Sequence, residues 1–206
     1  MAFVNSIDKG SGRKKVDKKE KILDSAQCLM LDKGYVATTV DEICENAGVT
    51  KGSFFYYFKD KEEMGKEMAQ RFSARGKQCC EGLKDETDPL KRVHGLLDMI
   101  IESSKKTDFK GCIMGIFSQE LSETHPEIRK ICATSFNGFI QTLEEDLTQA
   151  KDKYAPKGSF KPREVAEYFL ASFQGAMVLA RAKKDKKVVE RALSQFREHL
   201  RMLYKK

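Results

Sequence analysis

The stretch Thr38–Lys61 constrains this chain more than any other. Thr39 followed three residues later by Glu42 is a capping box, in which two orphan N–H groups at a helix start are satisfied reciprocally. The helix so opened turns Val40, Ile43, Cys44 and Ala47 inward. Gly48 follows the last periodic residue, where a left-handed exit favours a residue without Cβ. Thr50 caps a second helix, with Phe54 and Phe58 four residues apart on its core side. Asp60 with Glu63 is a second capping box and opens a third helix. Two short helices joined by a tight turn are the punctuation of a helix-turn-helix, whose second helix enters the DNA major groove by its N-terminal residues. The expected partner is a double-stranded DNA operator.

Within that second helix, Thr50, Lys51, Ser53, Tyr56 and Tyr57 are the candidate DNA contacts. Polar or methyl-bearing tips at a helix start can reach base edges, while tyrosine hydroxyls and lysine ammonium groups hold phosphates. Gly52 lets the backbone approach the duplex closely. Thr39 and the backbone N–H groups behind it can bind a further phosphate, and Lys61 repeats that role one helix later. The plain alternative is a helical hairpin inside a larger bundle. Against it, the aromatic run Phe54–Phe58 exceeds what one inward stripe can bury.

These same residues carry a family resemblance. Lys33-Gly34-Tyr35, Thr38-Thr39-Val40, Ile43, Ala47-Gly48-Val49, Lys51-Gly52-Ser53 and Phe55–Lys61 resemble the N-terminal domain of TetR-type transcriptional repressors over residues 18–64. The resemblance adds Phe55 to the DNA-contact set. It implies a homodimer on a palindromic operator, released by a ligand bound in the C-terminal domain. Two positions depart from the family pattern: Phe55, where tyrosine is usual, and Tyr57, where histidine is common. Both bear on phosphate or thymine-methyl contacts, so half-site preference does not carry over. Beyond residue 64 the resemblance is generic.

The net charge of +7 does not itself argue for nucleic acid. Residues 181–206 hold ten Lys/Arg against three Asp/Glu, which is the whole excess. The useful charge is local: Arg13, Lys14, Lys15, Lys18, Lys19 and Lys21, then Lys51, Lys59 and Lys61. Such groups meet phosphates in a salt-dependent, sequence-independent way; for residues 1–16 a solvated mobile tail is an equal reading. No apolar run approaches the roughly 18 residues that span a bilayer, and the first residues lack the pattern of a signal peptide. The expected location is cytoplasmic, with no membrane partner.

The six cysteines, Cys28, Cys44, Cys79, Cys80, Cys112 and Cys132, match no zinc or redox spacing. No metal and no cofactor is expected. An enzyme would need a nucleophile such as Cys112 with His94 or His125 as base, and nothing in the spacing supports that pairing. Cys112 lies in Gly-Cys-Ile-Met-Gly at a helix start, which favours thiolate. It is either a packed thiol or an oxidant or electrophile sensor, as similar segments imply in some TetR-like regulators.

The periodicity predicts an all-α chain of about nine helices. Residues 1–16 form a basic tail, 17–60 a three-helix DNA-binding head, and 61–206 a larger helical bundle for ligand binding and dimerisation. Helix 1 should bury Ile22, Ala26, Leu29 and Met30, and Lys151–Lys161 should be the longest loop. Phe72, Met99, Phe109, Cys112, Ile113, Phe117, Phe136, Phe139, Phe173 and Met177 could line a pocket for a small apolar or amphipathic effector. Residue by residue, ordinary core serves them as well. Glu120 is read as a carboxylate satisfied by backbone, or else as a polar anchor in that pocket. Phe169, Ala176, Ala180, Leu193, Phe196 and Leu200, on the last two helices, are the expected dimer interface, with Ala171, Ser172 and Gly175 allowing close approach.

Overall fold

The computed structural model describes residues 17–106 and 109–204; the expected basic tail at 1–16 lies outside them. Among the described residues there are nine helices and no strand. They are α1 (Lys18–Lys33), α2 (Val40–Ala47), α3 (Lys51–Tyr57), α4 (Lys61–Glu81), α5 (Pro89–Lys105), α6 (Ile113–Leu121), α7 (Pro126–Tyr154), α8 (Pro162–Lys183) and α9 (Lys187–Tyr204). None is long and apolar enough to cross a membrane.

The chain divides into two compact units. One holds the described residues up to Ala74 together with Lys110–Ala133; the other holds those of Arg75–Phe109 and Thr134–Lys206. The first unit therefore recruits α6 and the start of α7 to the head, which the expected boundary at residue 60 did not anticipate. Sequence order cannot show that α6, beginning 80 residues after α1 ends, packs back on α1. Helices α4 and α7 each contribute residues to both units.

In the first unit the core is Ile22, Ala26, Met30, Ile43, Phe54, Phe58, Met64, Met68 and Phe117, all nearly inaccessible. Leu29 is only half-buried, and Leu23 and Leu31 turn inward instead. Arg71 on α4 grips α1 through one guanidinium nitrogen, 2.5 Å from Asp24 and 3.1 Å from Glu20. In the second unit α9 packs on both α8 and α5, and Phe169 stacks between Phe139 and Phe173, at 5.8 and 6.0 Å. Helix α7 runs through Tyr154, beyond the expected end near residue 150. Nothing before Pro156 breaks it, and Lys151 and Lys153 in its last turn favour the helix dipole.

The expected dimer residues lie inside the single chain. Phe169, Ala176, Ala180, Leu193, Phe196 and Leu200 are all buried within the single chain. They are the seam where α8 and α9 meet the rest of the second unit. Large residues gain most from burial, so α8 turns its Val165–Phe169–Phe173–Met177 stripe inward. Its opposite face carries Tyr168, Ala171, Gly175, Val178, Leu179 and Ala182, all exposed.

Candidate nucleic-acid interface

Local chemistry sets the shape of the helix-turn-helix. The capping box at α2 is complete: Thr39 N–H donates to Glu42 Oε2 at 2.9 Å, and Glu42 N–H donates to Thr39 Oγ1 at 3.3 Å. Gly48 ends α2 in the left-handed region, φ 64° and ψ 39°, where a Cβ is disfavoured. Thr50 Oγ1 then accepts the Ser53 N–H at 3.1 Å and opens α3. Asp60 caps α4 without closing the expected box: Glu63 N–H donates to Asp60 Oδ1 at 2.8 Å, but the Glu63 carboxylate takes the Lys59 N–H, one residue before the cap, at 2.6 Å.

A seven-residue helix cannot hold itself in water, so packing must fix α3. Phe54 is fully buried and Phe58 nearly so, with their rings 5.5 Å apart. Everything else on α3 faces outward or lies at the margin. Thr50, Lys51, Gly52, Phe55 and Tyr56 are exposed, Tyr56 to 82% and Phe55 to 55%, while Ser53 and Tyr57 are half-buried. Tyr56 packs edge-on against Tyr57 at 4.9 Å, which orients both rings without covering Tyr56. Lys51 Nζ reaches Asp41 on α2 at 2.7 Å, both ends exposed, and that hydrogen bond raises the Lys51 pKa. The ammonium is thus charged and held in place on the outward face.

Residues 22–68 match the family model of bacterial regulatory proteins of the tetR family. Residues 89–195 match the C-terminal domain of LmrA/YxaF-like transcriptional regulators. The chain belongs to the TetR family. The repressor DhaR of Mycobacterium sp. (strain GP1) is 23% identical over 178 residues, 85% of this chain and 88% of that protein. The repressor NemR of Escherichia coli (strain K12) is 24% identical over 181 residues, 86% of this chain and 91% of that one. The crystal structure of E. coli NemR in its reduced form shares the fold, with a TM-score of 0.76 at 24% identity, covering 91% of this chain and 97% of that one. This TetR-family chain is a DNA-binding transcriptional regulator of the repressor kind.

Lys61 departs from its expected place at a phosphate. In this regulator its Nζ donates to the carbonyl oxygens of Tyr35, at 3.0 Å, and Thr38, at 2.8 Å, and lies 4.3 Å from the centre of the Tyr35 ring. Burial lowers its pKa, and the charge of Glu120 opposes that shift. Two donors and the cation–π face are taken inside the head, so Lys61 clasps the α1–α2 loop. Capping motifs are local and readable; a contact back across 26 residues is not.

The expected effector residues divide between the units. Phe72, Cys112, Ile113 and Phe117 belong to the first, where Ile113 and Phe117 are buried core. Met99, Phe109, Phe136, Phe139, Phe173 and Met177 belong to the second. A small, shallow cleft lies within the second unit, lined by Cys80, Leu83, Lys84, Arg92, Leu96, Phe139, Thr142, Leu143, Glu145 and Asp146. Phe139 alone of the expected set reaches it. Glu120, read from sequence as a carboxylate satisfied by backbone or else as a pocket anchor, accepts the Val36 N–H at 2.9 Å.

One pH effect follows from the α2 cap. The Lys33 ammonium, then the Thr39 N–H and hydroxyl, hold the Glu42 carboxylate and lower its pKa from 4.5 to about 2. Because the folded value lies below the unfolded one, this contribution is complete above pH 4.5 and fades as pH falls through about 2. Glu42→Gln should therefore be less stable than wild type at neutral pH, with the gap closing across that acid window. Chemical denaturation followed by circular dichroism at several pH values checks this; a gap independent of pH would contradict it.

Proposed function

We propose that this regulator is a homodimeric repressor that sets two α3 helices into successive major grooves of a palindromic operator, and that a small apolar or amphipathic effector releases it. The observation that carries the reading is the outward face of α3. Hydroxyl, ammonium and aromatic groups are exposed together on a helix that only Phe54 and Phe58 anchor. Thr50, Lys51, Gly52, Ser53, Phe55, Tyr56 and Tyr57 on α3, with Thr39 at the start of α2, form the DNA-contact set; Lys61 is assigned to positioning. The exposed α8 face of Tyr168, Ala171, Gly175, Val178, Leu179 and Ala182 supports the dimer, since an isologous pair would present two α3 helices to a palindrome. The Phe139–Phe169–Phe173 stack and the neighbouring cleft support an apolar effector in the second unit. Release requires that the effector bind the DNA-incompetent state more tightly; a tenfold loss of affinity needs about 1.4 kcal/mol of such preference.

The test is binding to DNA flanking the regulator's own gene, against scrambled DNA, over a range of salt. Tyr56→Phe should weaken binding to both DNAs about fivefold, as loss of a phosphate contact does not change sequence preference. Ser53→Ala should instead change which base is preferred at one position of each half-site. Equal binding of the wild type to flanking and scrambled DNA at moderate salt would defeat specific regulation.

A second reading has its own observation. Cys112 occupies the N-cap of α6 and is only half-buried. Oxidant-gated release through Cys112 predicts that Cys112→Ser keeps operator binding and loses only the response to thiol oxidants.

A further inference from the structure

The loop joining α1 to α2 is held from two directions within the first unit. From α4, Lys61 takes the Tyr35 and Thr38 carbonyls. From α6, Glu120 accepts the Val36 N–H, a contact between residues 84 apart in sequence. Gly34 makes that approach possible. Its backbone sits at φ 94° and ψ 166°, a region closed to residues with a side chain, and a Cβ there would lie 2.2 Å from Glu120 Oε1. The carboxylate therefore rests against bare backbone. Three residues earlier on α6, the Phe117 ring meets the Tyr35 ring edge-on at 5.5 Å, and His125 meets it at 5.6 Å.

The other end of α6 is fastened too. Lys110, just ahead of that helix, bonds Asp32 on α1 at 2.5 Å and lies 3.4 Å from Cys28 Sγ. Helix α6 is thus pinned to α1 at its entry and to the α1–α2 loop at its exit. The loop in turn leads directly into Thr39, the cap of α2, and Thr38 Oγ1 donates to the Gly34 carbonyl at 2.7 Å, which stiffens the loop. Through it, Glu120 is connected to the α2 N-terminus and to α3 packed beside it.

We infer that Glu120 is a positioning residue for operator binding: its hold on Val36 and Gly34 sets where α2 and α3 stand on the DNA. This rests on the helix-turn-helix function proposed above. The contact lies at an exposed carboxylate, so it adds little to global stability. Its consequence is geometric, because hydrogen bonds lose strength steeply beyond about 3.2 Å. Movement of α6 by about 1 Å would break it, which makes this contact the place where the state of α6 is read by the head.

The experiment uses the full chain and DNA that the wild type itself enriches from a random-sequence library. Glu120→Ala should bind that DNA about tenfold more weakly, as loss of a hydrogen bond to a charged acceptor implies. Its affinity for scrambled DNA and its thermal midpoint should match wild type. Glu120→Gln keeps an oxygen acceptor for Val36 and should recover most of the lost affinity. A Glu120→Ala variant that binds the enriched DNA as tightly as wild type overturns the role. So does one whose midpoint collapses together with both affinities, since Glu120 would then be merely structural. A wild type that enriches no sequence defeats the function proposed above, whereas a selective wild type with an indifferent Glu120→Ala defeats the positioning role alone.

Discussion

On the dimer proposed above, Gly175→Arg should leave a folded monomer and cut operator affinity by about 100-fold or more, the usual scale of avidity lost when two linked sites act singly. Gly175 lies on the exposed face of α8, and a Cβ added there meets nothing within 4 Å in the single chain. The monomer therefore accepts the arginine without strain, and a helix interior prefers it to glycine. On the same exposed face Gly175 is flanked by Ala171, Val178 and Leu179, small or apolar residues that suit close helix approach. A long charged side chain would hold the helices apart and bury its charge at the contact. Light scattering at micromolar concentration should report half the wild-type mass, with unchanged far-ultraviolet circular dichroism. The midpoint of thermal unfolding should rise with concentration for wild type but not for the variant, as mass action requires. A variant that stays dimeric would move the interface elsewhere; a monomer with full operator affinity would remove the palindrome from the mechanism.

That prediction uses a face of α8 which the sequence presents but does not orient. The helix has two apolar stripes, one of large residues around Phe169 and one of small and aliphatic residues around Gly175. Periodicity shows that both exist. Which one turns inward depends on what the rest of the chain offers, and burying the phenylalanines removes more area from water. The head was legible for the opposite reason. Its caps at Thr39, Thr50 and Asp60 and its exit at Gly48 act over three or four residues, so their chemistry is written consecutively. Lys61 and Glu120 were harder: each acts on the 34–38 loop from 23 or more residues away. A lysine near a recognition helix reads as a phosphate ligand until its carbonyl partners are seen. The effector residues were least legible, because a phenylalanine that lines a cavity and one that fills a core occupy the same helical positions.

Phe54→Ala should abolish specific DNA binding while leaving the second unit folded. Phe54 is the fully buried side chain of α3, in contact with the rings of Phe55 and Phe58. Truncating a buried phenylalanine costs about 3–5 kcal/mol in transfer and cavity terms. A unit the size of the head has only about 5–15 kcal/mol in all. The loss also falls on an element with little else to hold it, because seven residues make too short a helix to persist without packing. Thr50 would still cap a turn, but nothing would fix the angle at which Tyr56 and Lys51 leave the surface. Operator affinity should therefore fall by more than about 200-fold, beyond the effect of any single contact residue, each worth about 1–3 kcal/mol. Hydrogen exchange can separate the two units: amides of α2 and α3 should lose protection, whereas those of α5, α8 and α9 should keep theirs. Phe54→Leu, which retains most of the buried volume, should bind within about tenfold of wild type, since better-filled sites lose less. Unchanged protection in α3 of the alanine variant would show that Phe58 alone suffices to seat the helix. Loss of protection throughout α8 and α9 would show that the head and the second unit unfold as one.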